Sequence, residues 1–269
     1  MSKRKITILG TGNAMVKNCY NTCFMVENEG EFLLVDAGGG NGILTQLDKA
    51  ELNLKKVHQM YITHAHTDHI LGAVWVVRQI AAWIKSGKYK GDFTIYGNDK
   101  VILTLRCICD LTLWDKFTCF FDERIFFQVV NNADKLRLLE ADFEVFDIGS
   151  EKEKQFGFRM TFADGQRLTC LGDEPYSECS RVYAEGSDYL MSEAFCLFAD
   201  ADQYNPYEKH HSTAKDAAVL AKELGVKNLI LYHTEDDHME TRKQLYMEEA
   251  AAYFDGRIYV PEDLEVICL

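Results

Sequence analysis

The chain has 269 residues, of which 47% are hydrophobic and 26% charged, and it contains only three prolines, a composition typical of a compact globular protein without a long disordered tail. Its 29 basic and 42 acidic residues give a formal net charge of -13. A surface with this charge repels polyanions, which disfavours a large RNA or DNA partner but permits a small anionic substrate beside a bound cation.

The cysteine pattern favours a reducing compartment. The nine cysteines include no CxxC pair, and Cys107 and Cys109 lie in an apolar run, where buried free thiols are the simplest interpretation. The first residues pass from a short basic start into a strand pattern without the apolar segment of a signal peptide, and no apolar run is long enough for a membrane span. We therefore expect a cytoplasmic protein without a membrane partner.

The first third of the chain reads as strands followed by a helix. Short β-prone runs closed by glycine or asparagine predict strands at KITILG, TCFMVEN, EFLLVD and VHQMYIT. The second and third of these runs, joined around residues 29 and 30, predict a hairpin. A short helix is expected over residues 41–50, and residues 69–85 carry apolar side chains at helical spacing.

The rest of the chain alternates strands and helices. A strand is expected at DFTIYG and a helix at VILTLRCICDLTLW, whereas CFFDERIFFQVV and LEADFEVFDIG leave strand and loop hard to separate. Clearer strands are predicted at FGFRMTFA, RLTCLGD, DYLMSEAF and KNLILYH, and helices at TAKDAAVLAKELG and TRKQLYMEEAAAYF, before one or two short closing strands. No linker, repeat or composition shift marks a boundary, so residues 1–269 are predicted to form a single domain of layered sheets flanked by helices.

The stretch YITHAHTDHILG, residues 61–72, is the strongest chemical signal. His64 and His66 are two positions apart at a predicted strand end, so both imidazoles should point to one side, and Asp68 and His69 lie at the turn into the next helix. Three imidazoles and a carboxylate form a donor set suited to zinc, manganese or iron(II). The alternative is a run of turn residues with solvated histidines.

THAHTDH matches the HxHxDH signature of the metallo-β-lactamase superfamily, and the resemblance runs through most of the chain. It implies an α/β fold, a four-layer αβ/βα sandwich, with a two-metal site formed by loops at one edge of the two sheets. It also implies a bridging ligand at Asp173 in RLTCLGDE and a last ligand at His233 in NLILYHTED. The alternatives are a plain turn at Asp173 and a solvated strand-end histidine at His233. The metal ligands implied are His64, His66, Asp68, His69, Asp173 and His233.

Within this superfamily the chain is most similar to the ribonuclease Z-like branch. That branch carries a glutamate after the bridging aspartate and an HST motif before the last ligand, matched by Glu193 in DYLMSEAF and His211 in HHSTAKDAA. The resemblance implies that this pair relays a proton to the leaving oxygen. The expected catalytic residues are therefore Glu193 and His211, together with Asp68 of the HxHxDH motif. A glutamate at a sheet edge, and a Ser212 or Thr213 helix cap beside an incidental histidine, are the alternatives.

One ligand of the superfamily pattern is missing. The pattern places a histidine in a middle loop, here FDIGSEKEKQFGF at or beside Gly149, but the sequence has no histidine between His69 and His210. The metal position that combines the first two motif histidines with the bridging aspartate would therefore lack a nitrogen donor. Ser150 or a water could take its place. We expect weaker occupancy of this position and one or two divalent metals per chain, zinc, manganese or iron.

The function predicted from these residues is that of a metal-dependent hydrolase, a phosphodiesterase that acts on a small phosphodiester or nucleotide through a metal-activated hydroxide. A tRNA substrate is disfavoured by the net charge and because no glycine-rich basic insertion matches the tRNA-binding arm of the branch. Two alternatives stay open: an ester, thioester or lactone hydrolase of the same fold, and a non-catalytic protein with a partly degenerate metal site. A homodimer is expected by resemblance alone.

Three other polar or glycine-rich segments carry weaker signals. Lys152 and Lys154 in EKEKQ could hold a phosphate, but a charge run is more often a solvated surface turn, and that interpretation is preferred. GTGNA and DAGGGNG lack the spacing of phosphate-binding loops and are predicted to be structural turns.

Overall fold

The structure, a computed structural model, describes residues 4–269, so the basic start at residues 1–3 lies outside the described residues. Within that range there are fourteen strands, numbered in chain order. They are β1 (Arg4–Gly10), β2 (Cys23–Asn28), β3 (Glu31–Val35), β4 (Gln59–Tyr61), β5 (Phe93–Gly97), β6 (Ile125–Val129), β7 (Lys135–Leu138), β8 (Ala141–Asp147), β9 (Phe156–Thr161), β10 (Arg167–Cys170), β11 (Tyr189–Glu193), β12 (Asn228–Tyr232), β13 (Arg257–Tyr259) and β14 (Val266–Cys268).

Eight α-helices lie in the same described range. They are α1 (Gly42–Lys49), α2 (Thr67–Lys85), α3 (Asp99–Thr112), α4 (Asp115–Thr118), α5 (Arg181–Ala184), α6 (Ala201–Tyr204), α7 (Ala214–Glu223) and α8 (Arg242–Ala251). None of the helices described over 4–269 is long and apolar enough to cross a bilayer.

The elements fall into two compact units, each built on one seven-stranded mixed sheet. The first unit comprises the residues up to Gly10, Tyr20–Asn131 and Asp263–Leu269, and the second comprises Thr11–Cys19 and Asn132–Glu262. An α/β architecture of two sheets with helices is confirmed. The single domain over residues 1–269 stays a prediction.

The sheet of the first unit has the order β14-β1-β2-β3-β4-β5-β6. Its first four strands pair antiparallel, and β3 to β6 pair in parallel. The predicted hairpin joins β2 to β3 through Glu29 and Gly30, whose φ angles of 53° and 89° are the positive values that a two-residue hairpin turn requires. Helices α1, α2 and α3 connect successive parallel strands, so the residues that follow those strands gather at one edge of the sheet.

Helix α2 supplies much of the core of this unit. It buries Ile70, Ala73, Val76, Val77 and Ile80 along one side, at the helical spacing seen in the sequence. The helix begins at Thr67, two residues before the predicted start, so Asp68 and His69 occupy its first turn.

The sheet of the second unit has the order β13-β12-β11-β10-β9-β8-β7. Strands β7 to β10 pair antiparallel, and β10 to β13 pair in parallel. Strand β7, with the sequence KLRL, was not predicted, because a four-residue edge strand with exposed Lys135 and Arg137 has little apolar signal. The parallel strands β10, β11 and β12 end at the same sheet edge, which places the residues after them side by side.

Helix α7 begins with a capping box. The Thr213 hydroxyl accepts a hydrogen bond from the Asp216 backbone N–H, and the Asp216 carboxylate accepts one from the Thr213 backbone N–H. The cap expected as an alternative to a functional HST motif is therefore present at Thr213. It leaves His211 and Ser212 outside the helix.

All nine cysteines lie within the described range and are free thiols, as predicted. Cys109 is buried against the core, but Cys107, two residues earlier on α3, is exposed. The helical period explains this difference, since residues two apart face different sides of a helix.

Candidate functional site

The four polar residues of the HxHxDH motif are brought together in the first unit. His64 follows β4, His66 is the N-cap residue of α2, and Asp68 and His69 lie in the first helical turn. The Nε2 atom of His64 lies 2.9 Å from Nδ1 of His66, and the rings of His64 and His69 have centroids 4.1 Å apart. Nε2 of His69 lies 3.4 Å from a carboxylate oxygen of Asp68. The imidazoles of His64 and His66 therefore lie close together, as their spacing in the sequence predicts.

Asp36, which sequence reasoning did not identify, orients two of these histidines. It is buried directly after β3, and its Oδ2 lies 2.8 Å from Nδ1 of His69. The same oxygen accepts a hydrogen bond from the Thr63 hydroxyl at 2.9 Å, and that hydroxyl lies 2.9 Å from Nδ1 of His64. Because both Nδ1 atoms are engaged in this way, the Nε2 atoms of His64 and His69 remain directed toward the cluster.

The glycine-rich DAGGG loop holds the start of α2 in place. The Ala37 backbone N–H donates to the His69 carbonyl at 3.0 Å, and the Gly72 N–H donates to the Gly38 carbonyl at 2.8 Å. A Cβ atom at Gly72 would lie 1.8 Å from the Ala37 carbonyl oxygen, so only glycine permits this close approach. The loop therefore has the structural role predicted for it, and that role is to position the motif.

In the second unit, the ends of three parallel strands bring together Asp173, Glu193 and His233. Nε2 of His233 lies 3.4 Å from Oδ2 of Asp173, and its Nδ1 lies 3.9 Å from Oε2 of Glu193. All three side chains are buried. His233 has a φ angle of 58°, a strained value for a non-glycine residue of the kind that clusters at functional sites.

His211 joins this second cluster through Glu193. Its Nδ1 lies 2.7 Å from Oε2 of Glu193, whose other oxygen accepts the Ser212 backbone N–H at 2.7 Å. The Phe195 ring stacks on the imidazole at a centroid distance of 4.7 Å. The paired carboxylate and imidazole that the HST motif predicts are therefore in contact, which a helix cap alone would not require.

Burial shifts the titration of this pair. It raises the pKa of the Glu193 carboxyl well above its usual range, because a charged carboxylate loses hydration inside the protein. Burial, and then the nearby ammonium of Lys152, lowers the pKa of His211 to about 4. Burial thus disfavours charge on both members of the pair.

Gly149 and Ser150 of the middle loop occupy the region where the superfamily pattern places the missing histidine. Gly149 has a φ angle of 75°, and a Cβ there would lie 3.2 Å from Oγ of Ser177 and 3.4 Å from Sγ of Cys179. The Ser150 hydroxyl, expected as a possible substitute ligand, donates instead to the buried carboxylate of Glu174.

Gln155 is a second residue that sequence reasoning missed. It is buried directly before β9, and its side-chain amide donates to Oδ1 of Asp173 at 2.5 Å. The contact fixes the orientation of the Asp173 carboxylate. The only hint in the sequence is its place in the middle loop, where EKEKQ meets the strand FGFRMT.

A cavity of about 420 Å³ adjoins His211 within the second unit. Its lining combines aromatic and apolar side chains with a few polar groups, among them Tyr176, Tyr207, His211, Ser212 and Leu220. The volume falls in the range of small-molecule sites, roughly 300–1,000 Å³.

The donor chemistry of both clusters fits divalent cations. In the second unit, the His233 imidazole lies beside the carboxyl groups of Asp173 and Glu193, and in the first unit three imidazoles and the Asp68 carboxylate converge. Imidazole nitrogen with carboxylate oxygen is the donor set of zinc, manganese and iron sites. Hydrogen-bonded partners such as Asp36 and Gln155 are the orienting contacts that metal ligands need.

Comparison with known proteins agrees with this fold. The metallo-β-lactamase fold protein YhfI from Bacillus subtilis superposes with a TM-score of 0.80 at 18% identity, over 98% of each chain. The short form of human tRNase Z superposes with a TM-score of 0.75 at 22% identity, again over 98% of each chain. A ribonuclease Z from Streptococcus gordonii is 25% identical over 98% of this chain and 99% of its own length.

The chain is thus a metal-dependent hydrolase with the metallo-β-lactamase fold, similar to ribonuclease Z, as the motifs predicted. The model of one family, the anti-Pycsar protein Apyc1, matches residues 4–251. The chain belongs to that family.

Proposed function

We propose that this chain is a metal-dependent phosphodiesterase that acts on a small phosphodiester or nucleotide. The contact between Glu193 and His211 carries the proposal, because a carboxylate-held imidazole beside a metal-ligand cluster suits protonation of a leaving alkoxide. Several relatives are named for cleaving phosphorus–oxygen bonds, among them ribonuclease Z and a diphosphatase of the PhnP family. The cavity of about 420 Å³ beside His211 offers room for the leaving part of a small substrate.

The proposed metal ligands are those that the superfamily pattern assigns. In the first unit they are His64, His66, Asp68 and His69, and in the second they are Asp173 and His233. Divalent cations held by such side chains supply Lewis-acid polarisation of phosphoryl oxygens and make water more acidic. Asp68 is proposed to act both as a ligand and in catalysis.

The protein groups would handle the proton that the leaving oxygen needs. Glu193 Oε2 holds Nδ1 of His211 and so sets the direction of the ring. Nε2 is then the nitrogen that can give its proton to the leaving alkoxide, while Nδ1 exchanges a proton with the carboxyl group of Glu193. The Ser212 N–H holds the second oxygen of Glu193, which keeps the relay in one orientation.

The metal, the assembly and the location are part of the same proposal. We propose one or two ions of zinc, manganese or iron per chain, and a homodimer by resemblance to the ribonuclease Z-like branch. The nine free thiols support a reducing, cytoplasmic location.

Metal content and phosphodiester hydrolysis test the proposal together. Protein purified without chelators should contain at least one divalent metal per chain by elemental analysis, and should hydrolyse bis(p-nitrophenyl) phosphate with added manganese or zinc. A chelator should abolish turnover, and adding the metal back should restore it. Comparison of a cyclic mononucleotide with a 3′-extended tRNA tests the size of the substrate, and p-nitrophenyl acetate tests the ester alternative. Absence of bound metal and of turnover with every divalent ion would contradict the proposal.

Asp36 provides a separate test of the metal assignment. Asp36→Asn should weaken zinc binding by roughly 10- to 100-fold. Both carboxylate oxygens of Asp36 accept hydrogen bonds, Oδ1 from the Thr63 backbone N–H and Oδ2 from the Thr63 hydroxyl and His69, whereas an amide has one acceptor oxygen and would present N–H groups to a donor at the other position. Asparagine tolerates the φ angle of 54° at this position, so the backbone should keep its conformation. A competition titration with a chromogenic chelator measures the affinity. Asp48→Asn, on the exposed side of α1, is the matched control.

A further inference from the structure

Lys152 lies in an exposed bend of the middle loop, as its charge run suggested, but its side chain turns toward His211. Its side chain is 24% exposed, and its ammonium lies 3.4 Å from Nε2 of His211. The ammonium also donates to the Lys209 carbonyl at 3.2 Å and lies 4.0 Å from Oε1 of the buried Glu174. The middle loop thus places a cation at the ring nitrogen that Glu193 does not occupy.

The Lys152 ammonium lies where the negative charge of a bound phosphodiester would be expected, beside Nε2 of His211. Nδ1 of His211 is held by Glu193, so Nε2 is the atom that would face the leaving oxygen. The two groups nearest to this ammonium, the Lys209 carbonyl and the imidazole, are uncharged acceptors, and the Glu174 carboxylate is farther away at 4.0 Å. A phosphodiester is a monoanion, and its non-bridging oxygens are stronger acceptors for an ammonium than either of those groups.

We propose that Lys152 is a substrate-binding residue, whose ammonium holds a non-bridging oxygen of the phosphodiester beside Nε2 of His211. The proposal rests on the proposed phosphodiesterase function. Glu174 would retain the lysine from its other side, and the Ser150 hydroxyl in turn holds Glu174. The middle loop, which lacks the metal-binding histidine of the superfamily pattern, would therefore contribute a cation for the substrate.

Lys154 is a matched control in the same loop. It is exposed, and its ammonium lies 5.3 Å from the centroid of the Phe156 ring. The two lysines share the charge run EKEKQ and differ in that Lys152 reaches His211. Replacing either with methionine removes one positive charge and preserves most of the side-chain volume.

The test uses the metal-loaded full chain with bis(p-nitrophenyl) phosphate and inorganic phosphate. Lys152→Met should raise KM, and the Kd for inorganic phosphate measured by calorimetry, by roughly 10- to 100-fold, as expected for loss of a hydrogen bond between charged groups. The value of kcat and the metal content should change little. Lys152→Arg should recover part of the affinity, and Lys154→Met should stay within about twofold of the wild type, since exposed charges contribute little.

The outcomes separate this inference from the proposed function. If Lys152→Met leaves both KM and phosphate affinity unchanged, or lowers only the melting temperature, then Lys152 is a structural contact of the loop and the inference is wrong. If the wild type hydrolyses no phosphodiester, the proposed function fails. Phosphate affinity then still decides whether Lys152 forms an anion site beside His211.

Discussion

Asp173→Asn is expected to lower kcat on bis(p-nitrophenyl) phosphate by about 10³-fold or more, and to reduce the metal content of the purified protein. Asp173 is buried after β10, where Oδ1 accepts from Gln155 and Oδ2 lies 3.4 Å from Nε2 of His233. Asparagine preserves the size of the side chain but removes the negative charge and one acceptor oxygen. A cation bound by His233 would thereby lose its anionic partner.

Elemental analysis and steady-state kinetics on the same preparation measure both parts of this prediction. Asp202→Asn, at an exposed position in α6, removes a carboxylate elsewhere in the second unit and should leave both quantities unchanged. Full metal content together with full turnover in Asp173→Asn would exclude Asp173 as a ligand.

His211→Gln is expected to lower kcat on a nucleotide with an alkoxide leaving group by roughly 10²- to 10⁴-fold, while the metal content stays at the wild-type level. The imidazole is held by Glu193 at 2.7 Å and is proposed to protonate the leaving oxygen, so its loss should affect chemistry rather than metal binding. The effect should be large for a nucleotide with an alkoxide leaving group. It should be much smaller for bis(p-nitrophenyl) phosphate, because p-nitrophenolate leaves without needing a proton.

The neighbouring His210 is the matched control for this experiment. It is exposed, and its Nδ1 lies 3.7 Å from a carboxylate oxygen of Glu151. His210→Gln should therefore retain wild-type kinetics with both substrates. Equal losses for the alkoxide and phenolate leaving groups, or a fall in metal content in His211→Gln, would show that His211 acts as a metal ligand and not as a proton donor.

Most of the candidate site could be predicted because its residues follow strand ends. HxHxDH follows β4, Asp173 follows β10, Glu193 ends β11, and His233 follows β12. Strands and turns have local signals in the sequence, and the ends of parallel strands meet at one sheet edge, so the gathering of Asp173, Glu193 and His233 follows from the order of the elements.

The orienting contacts could not be predicted, because they join residues far apart in the chain. Asp36 and His69 are separated by 33 positions, and Gln155 and Asp173 by 18. Buried aspartate and glutamine side chains occur in many proteins without any role at a site. Their function here depends on which side chain each one contacts, and no local pattern contains that information.

The two lysines of EKEKQ show the same limit most clearly. Their local sequence favours a solvated turn for both, but Lys152 reaches His211 across 59 positions of the chain while Lys154 lies near Phe156. The sequence by itself determined the superfamily, the order of strands and helices and the residues that carry the chemistry, because these depend on residue type and short-range spacing. Only the tertiary structure decided which polar groups meet around them, since hydrogen bonds and ion pairs depend on distances of a few ångströms that the folded chain alone sets.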